Sequence, residues 1–150
     1  MRRIFLVILV SVLLYATAVS AANTVKREIT FDQAKTLIWA VLPLETLRLP
    51  GLTIFHSDKN PEDISSYRSS ENPRFAVFNV IWTGTADSSI EVGFYAVDIY
   101  TGDVFDSVAG DCVGYNNKRL RVLQRKVRYS LHLTDAQYKK IKTKGPMCVD

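Results

Sequence analysis

Residues 74–104 read RFAVFNVIWTGTADSSIEVGFYAVDIYTGDV, and this stretch decides the fold. In its first half Ala76, Phe78, Val80 and Trp82 fall on one face of an extended chain, with Phe75, Val77 and Ile81 on the other. In its second half Ile90, Val92, Phe94 and Ala96 oppose Tyr95, Val97 and Ile99. Period-two alternation marks β-strands, and strands apolar on both faces need cover on both. Turn residues between Thr83 and Ser89 join the two runs. Thr101-Gly102-Asp103 then reverses the chain into a third strand, Val104 to Val108, with Gly102 suited to the positive-φ position of a short loop. The segment is a predicted β-meander.

Outward from the meander the pattern turns helical. Thr30 stands three residues before Gln33, as in a capping box, and Phe31, Ala34, Leu37, Ile38, Val41 and Leu42 recur at helical spacing until Pro43 ends the run. Leu52 to Ser57 predicts a short strand. Asp58 to Pro73, DKNPEDISSYRSSENP, reads as a long loop that is either mobile or a contact surface. Downstream, Leu120, Leu123, Val127 and Leu131 form the inner stripe of an amphipathic helix. Thr134 caps a further helix from Asp135 to about Lys142, which Gly145-Pro146 terminates. The order predicts an α+β fold: an N-terminal helix packed on an antiparallel β-meander, with two C-terminal basic helices.

Two phrases carry a family resemblance. ITFDQAKTLIWAVLP opens a helix on Thr30-x-x-x-Ala34, and Val97-Asp98-Ile99-Tyr100-Thr101-Gly102-Asp103-Val104 matches a Val-Asp-x-x-Thr-Gly-x-Val hairpin. Together they resemble the PepSY-type domain, a small α+β module with a cystatin-like look, over about half of the exported part. Such modules are exported or membrane-attached, and some are inhibitory propeptide modules of thermolysin-like peptidases. The resemblance therefore implies a non-catalytic binding or inhibitory role. It carries over no binding residue, because the matched positions are structural, and the basic C-terminal third departs from a minimal PepSY unit.

The chain has 150 residues, 47% of them apolar, and a formal charge of +4. Arg2 and Arg3 precede an uncharged apolar run from Ile4 to Tyr15 and a small-residue stretch ending Ala21-Ala22, the layout of a cleaved secretory signal peptide over residues 1–22. The run is too short for a membrane anchor, so the exported part, residues 23–150, is expected to be one domain, not integral to the membrane, in the periplasm or outside the cell. Cys112 and Cys148 are the only cysteines, and in an oxidising compartment they are expected to form one disulfide. Such a bridge contributes roughly 4 kcal/mol at best.

Catalytic signatures are few. His56 beside Ser57 and Asp58 offers base, nucleophile and acid on paper, but sequence neighbours do not make a triad. His132 is expected to pack or to place favourable charge at a helix C-terminus. Asp98 and Asp103 flank the hairpin, where carboxylates commonly bond nearby backbone N–H groups. Asp106 and Asp111 follow, too loosely grouped to define a metal site. No nucleophile elbow, zincin, phosphate-loop or EF-hand motif occurs. The expectation is a protein with no catalytic residues, no metal and no cofactor.

Charge is the distinctive feature. From Lys118 to Lys144 ten residues are basic and one, Asp135, is acidic, while the rest of the exported part carries a net −7. Basic helices lying over an acidic body would explain this, as would an anion-seeking surface. On a helical wheel Lys118, Val122, Arg125 and Tyr129 share one stripe opposite Leu120, Leu123 and Val127. Apolar Val122 and Tyr129 set among cations are either covered by the last helix or form a binding surface. The sequence thus points to a non-enzymatic binding protein, an inhibitor of a peptidase or wall-active enzyme being the most concrete form. Its partner would be an acidic protein or an anionic envelope polymer, the latter making it a structural envelope protein. Export argues against nucleic acid.

Overall fold

The structure, a computed structural model, describes residues 27–55, 62–85, 88–108 and 114–146. The signal segment 1–22, His56, Asp111, Cys112 and Cys148 lie outside the described residues, so the expectations resting on them do too.

Helix α1 (Phe31–Val41) begins as its sequence dictates. Thr30 Oγ1 accepts from the Gln33 amide, and Gln33 Oε1 accepts from the Thr30 amide, closing the capping box. Phe31, Ala34, Leu37 and Ile38 face inward, and Leu42 ends the helix in extended conformation. Pro43 then starts a one-turn helix, α2 (Leu44–Leu47). The sheet follows as β1 (Leu52–Ile54), β2 (Phe75–Thr85), β3 (Ser88–Asp98) and β4 (Val104–Asp106), all antiparallel in the order β1-β2-β3-β4. The fold is the expected α+β meander. Gly102 takes φ 71° in the β3–β4 turn, as its position demanded.

Two features depart from the sequence reading. Val80 pairs with Gly93 and Ile81 with Glu91, which leaves Val92 as an extra residue and shifts the register there. Such a bulge reverses the side-chain alternation. Val92 therefore packs with Tyr95 and Val97 in the main core, not on the Ala96 face. The second departure lies in the long loop after β1. Asp63 caps a 3₁₀ turn (Ile64–Tyr67), whose Tyr67 ring stacks on Phe78 at 4.6 Å and on Phe31 at 5.3 Å. Arg68 pairs with Ala76 beside the sheet, and Ser69 N–H donates to the Phe75 carbonyl at 2.9 Å. The described part of that segment is docked on the core by aromatic contacts.

Helices α3 (Lys118–Ser130) and α4 (Asp135–Ile141) complete the chain. The α3 helix runs antiparallel to α1, and polar contacts fasten both ends. Gln33 Nε2 donates to Ser130 Oγ at 3.0 Å, and Asn117 Nδ2 donates to the Ala40 carbonyl at 2.9 Å. Leu120 and Val127 enter the main core between α1 and the sheet. A smaller cluster, Phe75, Ala96 and Phe105, occupies the other sheet face. Arg74 ties the end of α4 back to the start of β2 by donating to the Ile141 carbonyl. No helix among the described residues is long and apolar enough to cross a membrane.

Candidate functional site

Helix α3 carries two differently employed sets of cations. Its inward flank reaches the β3–β4 turn. Asp98 and Asp103, both buried, bracket that turn. Asp98 Oδ2 accepts from Arg74 Nε at 2.9 Å and Nη2 at 2.7 Å, and its Oδ1 accepts from the Tyr100 amide at 2.9 Å. Asp103 Oδ1 accepts from Arg128 Nη2 at 2.8 Å, Tyr138 Oη at 3.2 Å and Gln124 Nε2 at 3.3 Å. Its Oδ2 takes the Thr101 hydroxyl at 3.1 Å and shares the Tyr138 phenol at 3.1 Å. Gln124 also donates to the Gly102 carbonyl, and Arg128 Nε to the Thr101 carbonyl. Local bonding to backbone was expected of these aspartates. The arginine and glutamine partners, 21 to 25 residues away, were not.

The network is an ion pair held out of water. Burial pushes the Asp103 carboxyl above its ordinary 3.8, while Arg128, Thr101 and Tyr138 pull the other way. Burial and the Asp103 charge push the Tyr138 phenol up to about 12. The Arg128 guanidinium lies 3.6 Å from the centre of the Tyr138 ring, a cation–π contact that fixes α4 against α3. A charge needs such partners to be stable in the interior. The arrangement is a structural lock, and Asp103 has no oxygen left for chemistry.

The outward side of α3 is the opposite case. Val122 is 50% exposed and Tyr129 84% exposed, so α4 does not cover them. Lys118 and Arg125 are exposed with them, and the stripe predicted from the sequence is one continuous ridge. Among the described residues Lys118, Arg119, Arg121, Arg125, Lys126, Lys139, Lys140 and Lys142 form no ion pair with a carboxylate. Arg128 of that basic segment pairs with the buried Asp103 carboxylate. Between α1 and the ridge runs a shallow groove of about 260 Å³, with Leu37, Leu123 and Val127 in its floor and Lys126 at its edge.

The remaining candidates separate from this site. His132 is exposed and takes φ 55° just past α3, where its N–H donates to the Tyr129 carbonyl. It caps the helix and packs against no core, contrary to one of its two expected roles. Asp106 Oδ1 accepts from the Val108 amide at 2.8 Å. No group of three histidine, cysteine or acidic side chains among the described residues is placed to hold a metal.

No family model matches the chain, and no curated protein matches it. Among solved structures it is similar to a chain described as part of a type VI secretion system effector–immunity complex from Pseudomonas protegens. The two share 23% identity and a TM-score of 0.50 over 75% of this chain and 85% of that one. At that identity the likeness establishes a common fold.

Proposed function

We propose that this chain is an exported, non-enzymatic binding protein that inhibits an acidic protein partner through the outward face of α3. The observation that carries the reading is the exposed ridge Lys118, Val122, Arg125 and Tyr129, two apolar side chains framed by two cations without carboxylate partners among the described residues. Protein contact centres favour tyrosine and arginine, and a surrounding positive field steers and orients an acidic partner. The structural neighbour comes from an effector–immunity complex, a setting in which one protein holds another. The PepSY-type resemblance points the same way, toward an inhibitor of a peptidase or wall-active enzyme in the periplasm or outside the cell.

The test is capture from envelope extract at physiological ionic strength, with an R125E/Y129A double variant as control. One partner retained at fixed stoichiometry and lost in the control supports the reading. Retention of many anionic polymers, abolished by added salt, identifies an envelope-associated protein instead. Equal retention by both baits removes the ridge from the interaction.

A further inference from the structure

On the flank of α3 opposite the groove lies a second depression, a cleft of about 430 Å³. It opens between β4, the Gly114–Asn116 segment, α3 and the chain leaving α4, and Asp103 forms part of its lining. Its size falls within the range of about 300–1,000 Å³ common for small-ligand sites. We infer that this cleft binds an oxyanion, a phosphate or carboxylate group, independently of the ridge.

Three observations converge on that chemistry. First, Arg121, Arg128, Lys142 and Lys144 line one concavity whose sole carboxylate among the described lining residues is Asp103. Second, Asp103 is already saturated, with Arg128, Gln124, Tyr138 and Thr101 all directed at its two oxygens. It cannot neutralise Arg121 or Lys142, and neither of these pairs with another described carboxylate. Third, donors remain unused at the wall. Arg128 Nη1 makes no hydrogen bond to a described residue, since Nε and Nη2 take the bonds to Thr101 and Asp103. The Thr143 hydroxyl is buried without a hydrogen-bond partner among the described residues.

The geometry is preorganised for an anion. Arg128 is held by its carboxylate, by the Thr101 carbonyl and by stacking on Tyr138, so little side-chain freedom remains to be lost on binding. Guanidinium groups match planar and tetrahedral oxyanions through paired N–H donors, and a low-dielectric wall strengthens each such bond. A neutral or cationic ligand would leave Arg121 and Lys142 without a counter-ion among the described residues. The oxyanion arrives either on a small organic molecule or on an acidic side chain of a bound protein, and the same donors serve both.

Amide NMR of the full exported chain decides the matter, with inorganic phosphate, citrate and a tetraglutamate peptide titrated separately at physiological ionic strength. Saturable shifts centred on Gly114, Arg121 and Thr143 are expected with at least one probe. An R121E/K142E double variant is expected to weaken that binding about tenfold or more, whereas R125E on the ridge changes it less than roughly twofold. Response to phosphate or citrate assigns a small-molecule oxyanion, and response to the peptide alone assigns a protein carboxylate. Absence of saturable shifts with all three probes overturns the inference, as does equal weakening by R125E. Neither failure touches the ridge, whose own test uses the R125E/Y129A bait.

Discussion

Arg125 and Arg128 stand one turn apart on the same helix and lead different lives. Arg128 turns inward, with only 15% of its side chain exposed, and clamps the buried Asp103 carboxylate. Arg125 faces solvent beside Val122 and Tyr129 and has no carboxylate partner among the described residues. Residue type and net charge are identical, so neither decides the role. What decides it is whether a buried opposite charge lies within reach, because desolvation makes that partnership obligatory inside and dispensable outside.

The sharpest way to break this contrast is substitution of each arginine by alanine. R128A leaves Asp103 buried without its cation and is expected to cost about 3 kcal/mol or more in urea unfolding, whereas R125A should stay within roughly 0.5 kcal/mol. Equal effects would erase the distinction between the two flanks. The inward flank also rests on the turn that presents Asp103. Adding a Cβ at Gly102, whose φ is 71°, brings it to 3.2 Å from Leu37 and Val127. G102A is therefore expected to cost about 1–2 kcal/mol, read as a lowered unfolding midpoint.

Titration sharpens the contrast further. Because the folded Asp103 pKa is raised above 3.8, the folded state binds the proton more tightly than the unfolded state. The stability contribution of this group is thus full below 3.8 and declines as pH rises through the raised value. Relative to D103N, the wild type should gain stability as pH is lowered through that window, and a flat difference would show that Asp103 is not desolvated. Tyr138, with its phenol pushed up to about 12, should be missing from the phenolate absorbance developed by pH 11, and Y138F identifies its signal. The smallest effect is expected where both flanks end. His132 holds φ 55° without the freedom of glycine, so H132G should raise stability by about 1 kcal/mol or less.

Much of the architecture was legible because it rests on local chemistry. Thr30 with Gln33 and Thr134 with Gln137 form the same capping box at the starts of α1 and α4. Leu120 and Val127 follow helical spacing into the core, and Gly102 sits where a turn needs it. The ridge was legible too, since a helical wheel assigns Val122 and Tyr129 to the side away from Leu120. Whether α4 covers that side depends on tertiary placement, which the wheel does not contain. The misreadings have the same origin. Val92 changed faces because one extra residue opposes Ile81 and Val80, and period-two counting carries no signal for a bulge. Tyr67 was hidden in a polar stretch, and its stacking on Phe78 is a long-range event. Gln124 and Arg128 follow Leu120 at steps of four, on the core side, but the sequence carries no sign of the distant turn carboxylate that holds them there.

The sheet itself limits how this protein meets others. Its two outer strands, Leu52–Ile54 and Val104–Asp106, are three residues each, beside inner strands of eleven. Strands this short offer an incoming extended peptide little ladder of their own to join, one of the ways sheets blunt edge-to-edge association. The proposed ridge stands instead on a helix, where a contact surface is rewritten one residue at a time without disturbing the backbone beneath.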